Sequence, residues 1–326
     1  MEAPVMSSDE YPWWHGYIYN FTYSYDQDYE DEVCDMTEYI NFANVFIPVT
    51  FSVVFVVGML GNGLLLGVLM KSRKAWSTTD FLILHRAVAD ILLLVTLPFR
   101  AVESASDAGW MFGTFFCKVT GSVLKINFYC GIFLLACLSV SYLLSIIPST
   151  KEVLKKKPWV VHFCCVVVWI LSILLSIPEW IFFEAMAEEK NRCIRNVNVH
   201  TYTFLQGLNS TFGFVFPLVV LVFCFFCIVW QLQCGTKGLQ NQRDFKVVIV
   251  VAAVFFVCWT PFNITTWVFK NSGYHCNTSL DVADLVTYAV RHFHCFLHPI
   301  VFLLVDVKNR QQQHVDQDME LTAQLS

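Results

Sequence analysis

Six charged side chains fall inside stretches that are otherwise as apolar as a membrane interior: Arg86, Asp90, Arg100, Glu103, Lys125 and Arg291. Glu179 sits near the end of another such stretch, and Asp284 precedes Arg291 by two helical turns. A charge at that depth is costly and persists where it pairs, lines a wet cavity or meets a ligand. Asp90 follows Arg86 by four residues, so a helix puts them on one face, one turn apart. An ion pair turned toward the bundle interior is the simple expectation. Arg100, Glu103, Lys125, Asp284 and Arg291 fall in matching half-spans and are expected to line a cavity open to one side, as a ligand site requires. Snorkelling to the interface is the alternative for Lys125 and Arg100. Nothing points to catalysis or a cofactor. There is no Gly-rich phosphate loop, and His162, His292, His294 and His298 lack a metal spacing such as His-Glu-X-X-His.

A second chemistry lies at the N-terminus. Residues 1–44 carry ten Asp and Glu and no Lys or Arg, interleaved with tyrosines. The densest part holds Tyr23, Tyr25, Asp26, Asp28, Tyr29, Glu30, Asp31 and Glu32. Such a segment is expected to be disordered alone, to draw in a basic partner and to suit tyrosine sulfation. A merely solubilising tail is the plainer alternative.

The elements that must hold these groups are long apolar runs. The chain of 326 residues is 56% hydrophobic and only 14% charged, where a soluble domain carries about 25% charged residues. Runs near 45–70, 79–103, 118–147, 159–183, 204–231, 246–269 and 280–305 each exceed the roughly 20 residues a bilayer-crossing helix needs. Lipid cannot satisfy free backbone groups, and the runs are too uniformly apolar for barrel strands. The fold expected is therefore all-α: one seven-helix membrane domain over 45–305, an N-terminal tail over 1–44 and a short C-terminal tail over 306–326. With the N-terminus outside, the inner loops gather Lys71, Arg73, Lys74, Lys151, Lys155, Lys156, Lys157, Lys237, Arg243, Lys246, Lys308 and Arg310, against five basic residues outside. That asymmetry favours an extracellular N-terminus. No cleaved leader is evident. No sequence repeat relates the halves, as many transporters show.

Cys34, Cys117, Cys193 and Cys276 fall on the outer side, where disulfides persist. Their spacing leaves three pairings open. The other nine cysteines are expected to be packing residues. Outer sequons at Asn20 and Asn277 are candidate glycosylation sites; Asn209 lies at a span's edge and Asn263 inside a span. Pro48, Pro98, Pro178, Pro217, Pro261 and Pro299 interrupt or end spans, and Trp259, two residues before Pro261, is placed to move with a hinge.

In order along the seven runs stand Gly61-Asn62, Leu84-His-Arg-Ala-Val-Ala-Asp90, Thr96-Leu-Pro98, Trp110 with Phe112-Gly113, Cys117-Lys118, Asn127-Phe-Tyr129, Trp169, Pro217, Cys258-Trp-Thr-Pro261, and His294-Cys with His298-Pro299. In these segments the chain resembles the rhodopsin-like G protein-coupled receptors, and among them the chemokine receptors, over nearly its whole length. Leu97–Val102 and Asp281-Val-Ala283 look most like the type-three C-X-C receptors. The resemblance implies disulfides Cys117–Cys193 and Cys34–Cys276. It implies a plasma-membrane protein, with recycling endosomes as a second location, whose partners are C-X-C chemokines. The acidic tail would hold the chemokine body, while Glu103, Asp284 and Tyr288 would meet its N-terminal amino group. Arg100 stands where an aromatic residue is usual.

The departures from the family pattern gather at the other end. The family's Asp-Arg-Tyr maps onto Ser141-Tyr142-Leu143, and Tyr142 cannot act as a guanidinium. Asn-Pro-X-X-Tyr maps onto His298-Pro299-Ile-Val-Phe302. Arg86 replaces an apolar residue and would compete with a cation at Asp90, the family's usual sodium ligand. Asn309 replaces an apolar anchor. After Lys308 only Thr322 and Ser326 carry hydroxyls, so a phosphorylatable arrestin-binding cluster is missing. The resemblance, so modified, implies an atypical or scavenger receptor that takes up chemokine with weak or no G protein signalling. A conventional G protein-signalling receptor driving leukocyte chemotaxis is the alternative, since some members couple with altered triplets. Neither reading involves nucleic acid.

Overall fold

A computed structural model describes residues 37–71, 76–146, 159–187, 191–233, 242–271 and 278–305. Four long helices come first: α1 (Thr37–Lys71), α2 (Thr78–Ala105), α3 (Gly113–Ile146) and α4 (Trp159–Phe182). A two-stranded antiparallel hairpin follows, β1 (Phe183–Met186) and β2 (Arg192–Arg195), with Ala185 opposite Cys193. The fifth span is α5 (Val199–Ser210), a π turn (Thr211–Val215) and α6 (Phe216–Gln233). The sixth is α7 (Gln242–Asn271). The seventh is α8 (Thr278–Val290), a 3₁₀ turn (Arg291–Phe293) and α9 (294–305). Seven helical stretches are long and apolar enough to cross a bilayer, as the hydropathy of the runs requires.

The first helix begins at Thr37, ahead of the expected 45. Its first turns are held by packing rather than by lipid. Tyr39 and Ala43 are buried; Tyr39 donates to Asp281 O at 3.3 Å, and Ser104 to Ala43 O at 3.4 Å. The third span is the bundle's axis: about two thirds of its apolar stretch is buried, against 28% for the first and fourth spans. The outward faces of the peripheral spans carry exposed Leu60, Phe163, Val219 and Trp267, the surface that hydrocarbon covers.

Local chemistry sets the breaks. Ser77 and Asp80 form a reciprocal capping box that starts α2. Pro217 has no N–H for the carbonyl of residue 213, and the wider turn just before it absorbs the loss. Gly213 within that turn admits Phe128, since a Cβ there would lie 2.3 Å from the Phe128 ring. In the seventh span the imidazole of His292 engages Tyr288 O at 3.0 Å, and that of His294 engages Arg291 O. Side chains thereby compete for carbonyls the α ladder would use, and the helix tightens there.

Candidate functional site

Two polar layers and one aromatic layer are stacked along the third span. The first is at the disulfide end. Cys117 of α3 is bonded to Cys193 of β2, with Cα atoms 5.5 Å apart. The second span clasps this bond. Glu103 accepts from Cys193 N at 3.0 Å, while Arg100 reaches Cys193 O at 3.4 Å, Thr120 Oγ1 at 3.2 Å and Glu103 at 2.9 Å. Arg100 also lies over the Trp110 ring at 5.2 Å. Both residues are buried, Glu103 at 0% exposure. Glu103 is thus built into the hairpin's anchorage, and Arg100 turns inward rather than snorkelling. Lys118 reaches back to Trp180 O at 3.0 Å and Ile181 O at 3.5 Å, satisfying carbonyls at the end of α4. Asp284 accepts from Thr265 at 3.2 Å. The Arg291 guanidinium lies over the Tyr288 and Phe262 rings, at 4.2 and 4.3 Å.

The second layer is central. Arg86 and Asp90 form the expected ion pair, Nη2 to Oδ1 at 3.0 Å and Nε to Oδ2 at 3.2 Å. Asp90, at 0% exposure, also accepts from Asn127 at 2.9 Å. Asn127 in turn meets His294 Nε2 at 2.9 Å. His298 Nδ1 lies 3.2 Å from Arg86 Nε and 3.1 Å from Asp90 Oδ2. That nitrogen accepts from the guanidinium or donates to the carboxylate, according to its tautomer. Spans two, three and seven are therefore joined through one carboxylate. Trp259 packs beside this layer, 4.4 Å from Phe128 and 5.6 Å from His294 by ring centres.

Asp90, His294 and Cys295 bring three donor atoms within 4.8 Å of one another. They fit a cation poorly. The Arg86 guanidinium already neutralises the carboxylate at 3.0 Å, and a second positive charge would be repelled in the same dry space.

Gly131 is the residue that admits Arg86. A Cβ on Gly131 would lie 1.5 Å from Arg86 Nη1 and 2.7 Å from Cζ. No larger side chain fits while the guanidinium is there. Spacing alone does not reveal this, because the two residues lie on different helices and only the packing register brings them together.

The third layer is at the far end of the third span. Tyr142 is buried, its ring 5.5 Å from that of Phe245 in the sixth span. Ser141 and Leu143 are half-buried beside it. Phe302 is buried and stacks on His298 at 6.3 Å. Where a charged arginine would stand, an apolar contact ties the third span to the sixth.

Tyr23, Tyr25, Asp26, Asp28, Tyr29, Glu30, Asp31, Glu32, Cys34, Cys276, Asn20, Asn277 and Asn309 lie outside the described residues. Of the expected cavity residues, Lys125 makes its polar contacts on one side. It faces the fourth and fifth spans, donating to Asn209 at 2.8 Å and lying 3.8 Å from Glu179.

The family model for the seven-transmembrane receptors of the rhodopsin family matches residues 61–302. C-X-C chemokine receptor type 3 of Rattus norvegicus is 38% identical over 88% of this chain and 80% of its own length. The human type 3 receptor is 35% identical over 90% and 83%. Human C-X-C chemokine receptor type 5 is 32% identical over 86% and 80%.

Proposed function

Because the chain belongs to the chemokine receptors of the rhodopsin-family seven-transmembrane proteins, we propose that it is an atypical member that captures C-X-C chemokine and internalises it with little or no G protein signalling. It is a multi-pass plasma-membrane protein. The reading places the N-terminus outside, as the basic-residue asymmetry favours, so the disulfide end receives ligand and the Tyr142 end faces the cytoplasm.

The observation that carries the proposal is Tyr142 buried against Phe245. The triplet's arginine would meet a transducer at this mouth as an exposed, multiply donating group. A phenol folded into an apolar contact offers neither the charge nor the fork of donors. The Arg86–Asp90 pair supports the same reading: a fixed internal cation ties the second span to His298 of the seventh, so their relative movement must break a buried charge network. At the other end, the acidic tyrosine-rich segment supplies long-range attraction for a basic ligand body. Asp284 and Tyr288, in the outer half of the seventh span, are assigned to its amino terminus; both are buried, at 2% and 3% exposure, so the ligand must part the side chains over them. Glu103 acts there by holding the hairpin.

The test is a panel of fluorescent C-X-C chemokines on transfected cells, reading uptake and G protein activation in parallel. The proposal requires saturable uptake of at least one chemokine with no nucleotide exchange above background. A robust, pertussis-toxin-sensitive response to the same chemokine overturns it in favour of a conventional receptor.

A further inference from the structure

We propose that the cleft between the third, fourth and fifth spans binds a single-chain anionic lipid, its head group held by Lys125 and Arg195 and its tail passing out beside Leu174. The proposal does not rest on the chemokine reading.

The cleft has about 130 Å³ of free volume, with Lys125, Glu179, Arg195 and Asn209 at its polar end and Leu174 and Leu208 among its apolar walls. Its charges do not balance. Glu179 gives both carboxylate oxygens to Arg195 Nη2, and that pair is buried. Lys125 stands 3.8 Å from the same carboxylate, beyond hydrogen-bond length, and spends its close contact on the neutral Asn209 amide. Two cations thus share one anion. Arg195 adds a second deficit. The residue is 7% exposed, yet its Nε has no hydrogen-bond partner among the described residues. Its guanidinium lies over Phe183 at 5.6 Å, which leaves that N–H unserved. A buried donor left open is costly, and so is a surplus charge in a half-apolar site. One monovalent anion that accepts hydrogen bonds answers both.

The walls select the rest of the ligand. Among the described residues, the fourth and fifth spans pack on the third more than on each other. The gap between them is rimmed by Leu174, which is 52% exposed on the face that meets lipid. The volume holds a head group and a few methylenes, since on this measure about 10–15 Å³ already admits one water. A longer chain must leave sideways along Leu174, into hydrocarbon, where its tail costs nothing to solvate.

The experiment uses the full-length receptor in phosphatidylcholine nanodiscs and palmitate bearing a mid-chain diazirine. Matched chains ending in an alcohol or a primary amine serve as controls, and adducts are mapped by mass spectrometry. The proposal requires saturable labelling of the fourth and fifth spans by the carboxylate alone, competed by unlabelled palmitate. Lys125→Met removes the surplus charge yet leaves the Arg195–Glu179 pair neutral, and should weaken labelling roughly ten-fold or more. Leu174→Trp narrows the exit without touching any charge and should block labelling too, which keeps the test decisive if Lys125→Met fails to fold. Equal labelling by the alcohol, unchanged labelling in folded Lys125→Met or in Leu174→Trp, or competition by a soluble acidic peptide but not by palmitate, each overturns the proposal.

Discussion

Gly131→Ala should unseat Arg86. The added methyl would have to occupy a point 1.5 Å from Arg86 Nη1, and helix α3 cannot yield that much, since Phe128, Ile132 and Leu135 around the glycine are all buried. The guanidinium must therefore leave Asp90, breaking contacts of 3.0 and 3.2 Å in a site with 0% exposure at the carboxylate. Removing one partner of a buried pair costs about 3–5 kcal/mol. Asn127, at 2.9 Å, and the His298 ring, at 3.1 Å, remain to hold the carboxylate, so about 3 kcal/mol is expected, at the low end of that range. For a domain of this size that is roughly 6–12 °C in Tm. The assay is thermal unfolding in detergent followed by a thiol-reactive dye, which reports exposure of the buried Cys130, Cys165 and Cys295. The decisive comparison is the double-mutant cycle. In an Arg86→Ala background the space beside residue 131 is empty, so Gly131→Ala should cost under about 0.5 kcal/mol, and the coupling should nearly equal the single-variant effect. Arg86→Ala should also give a Tm that rises with sodium against a potassium control, because a free carboxylate then accepts a cation. If Gly131→Ala costs the same in both backgrounds, or nothing in either, the account of the guanidinium's seat is wrong.

Restoring Ser141→Asp with Tyr142→Arg should leave nucleotide exchange on purified heterotrimer near background until Arg86→Leu and His298→Asn are added; full exchange from the first two changes alone would show that Arg86 is not a block. Glu103→Ala should strand the buried Arg100 and cut cell-surface folded receptor, at a cost of about 3–5 kcal/mol, whereas Glu103→Leu combined with Arg100→Leu should be milder than either single change by flow cytometry and Tm. Asp284→Asn should weaken full-length chemokine about ten-fold in competition binding, through loss of one charge-assisted contact, and should not alter the affinity of a chemokine lacking its N-terminal residues; equal losses for both ligands would remove Asp284 from amine recognition.

The bundle was legible because lipid imposes a crude, length-based rule, and each apolar run obeys it. The Arg86–Asp90 pair was legible for a related reason: residues four apart on one helix must be neighbours whatever surrounds them. Contacts between helices were not. Gly131 opposite Arg86, Phe245 under Tyr142 and the double hold of Arg100 and Glu103 on Cys193 all depend on axial register and rotation, which hydropathy leaves undetermined. Lys125 is a further case: its depth marks it as a cavity residue, while the contacts it makes, to Asn209 and Glu179, depend on helical phase. The early start of α1 was hidden likewise, because Tyr39 and Ala43 gain their burial from other spans rather than from an apolar run of their own.

Cys193 is gripped through its amide by Glu103 and through its carbonyl by Arg100. Cutting the sulfur link would therefore not set the hairpin adrift. The two thiols would stay within striking distance, so that an external disulfide accepting their two electrons by thiol exchange would re-form the bond faster than it could in a free loop still seeking its mate. A loop both stapled and clasped at the same residue keeps its place through a passing reduction, and the clasp rather than the staple then sets where its tip lies.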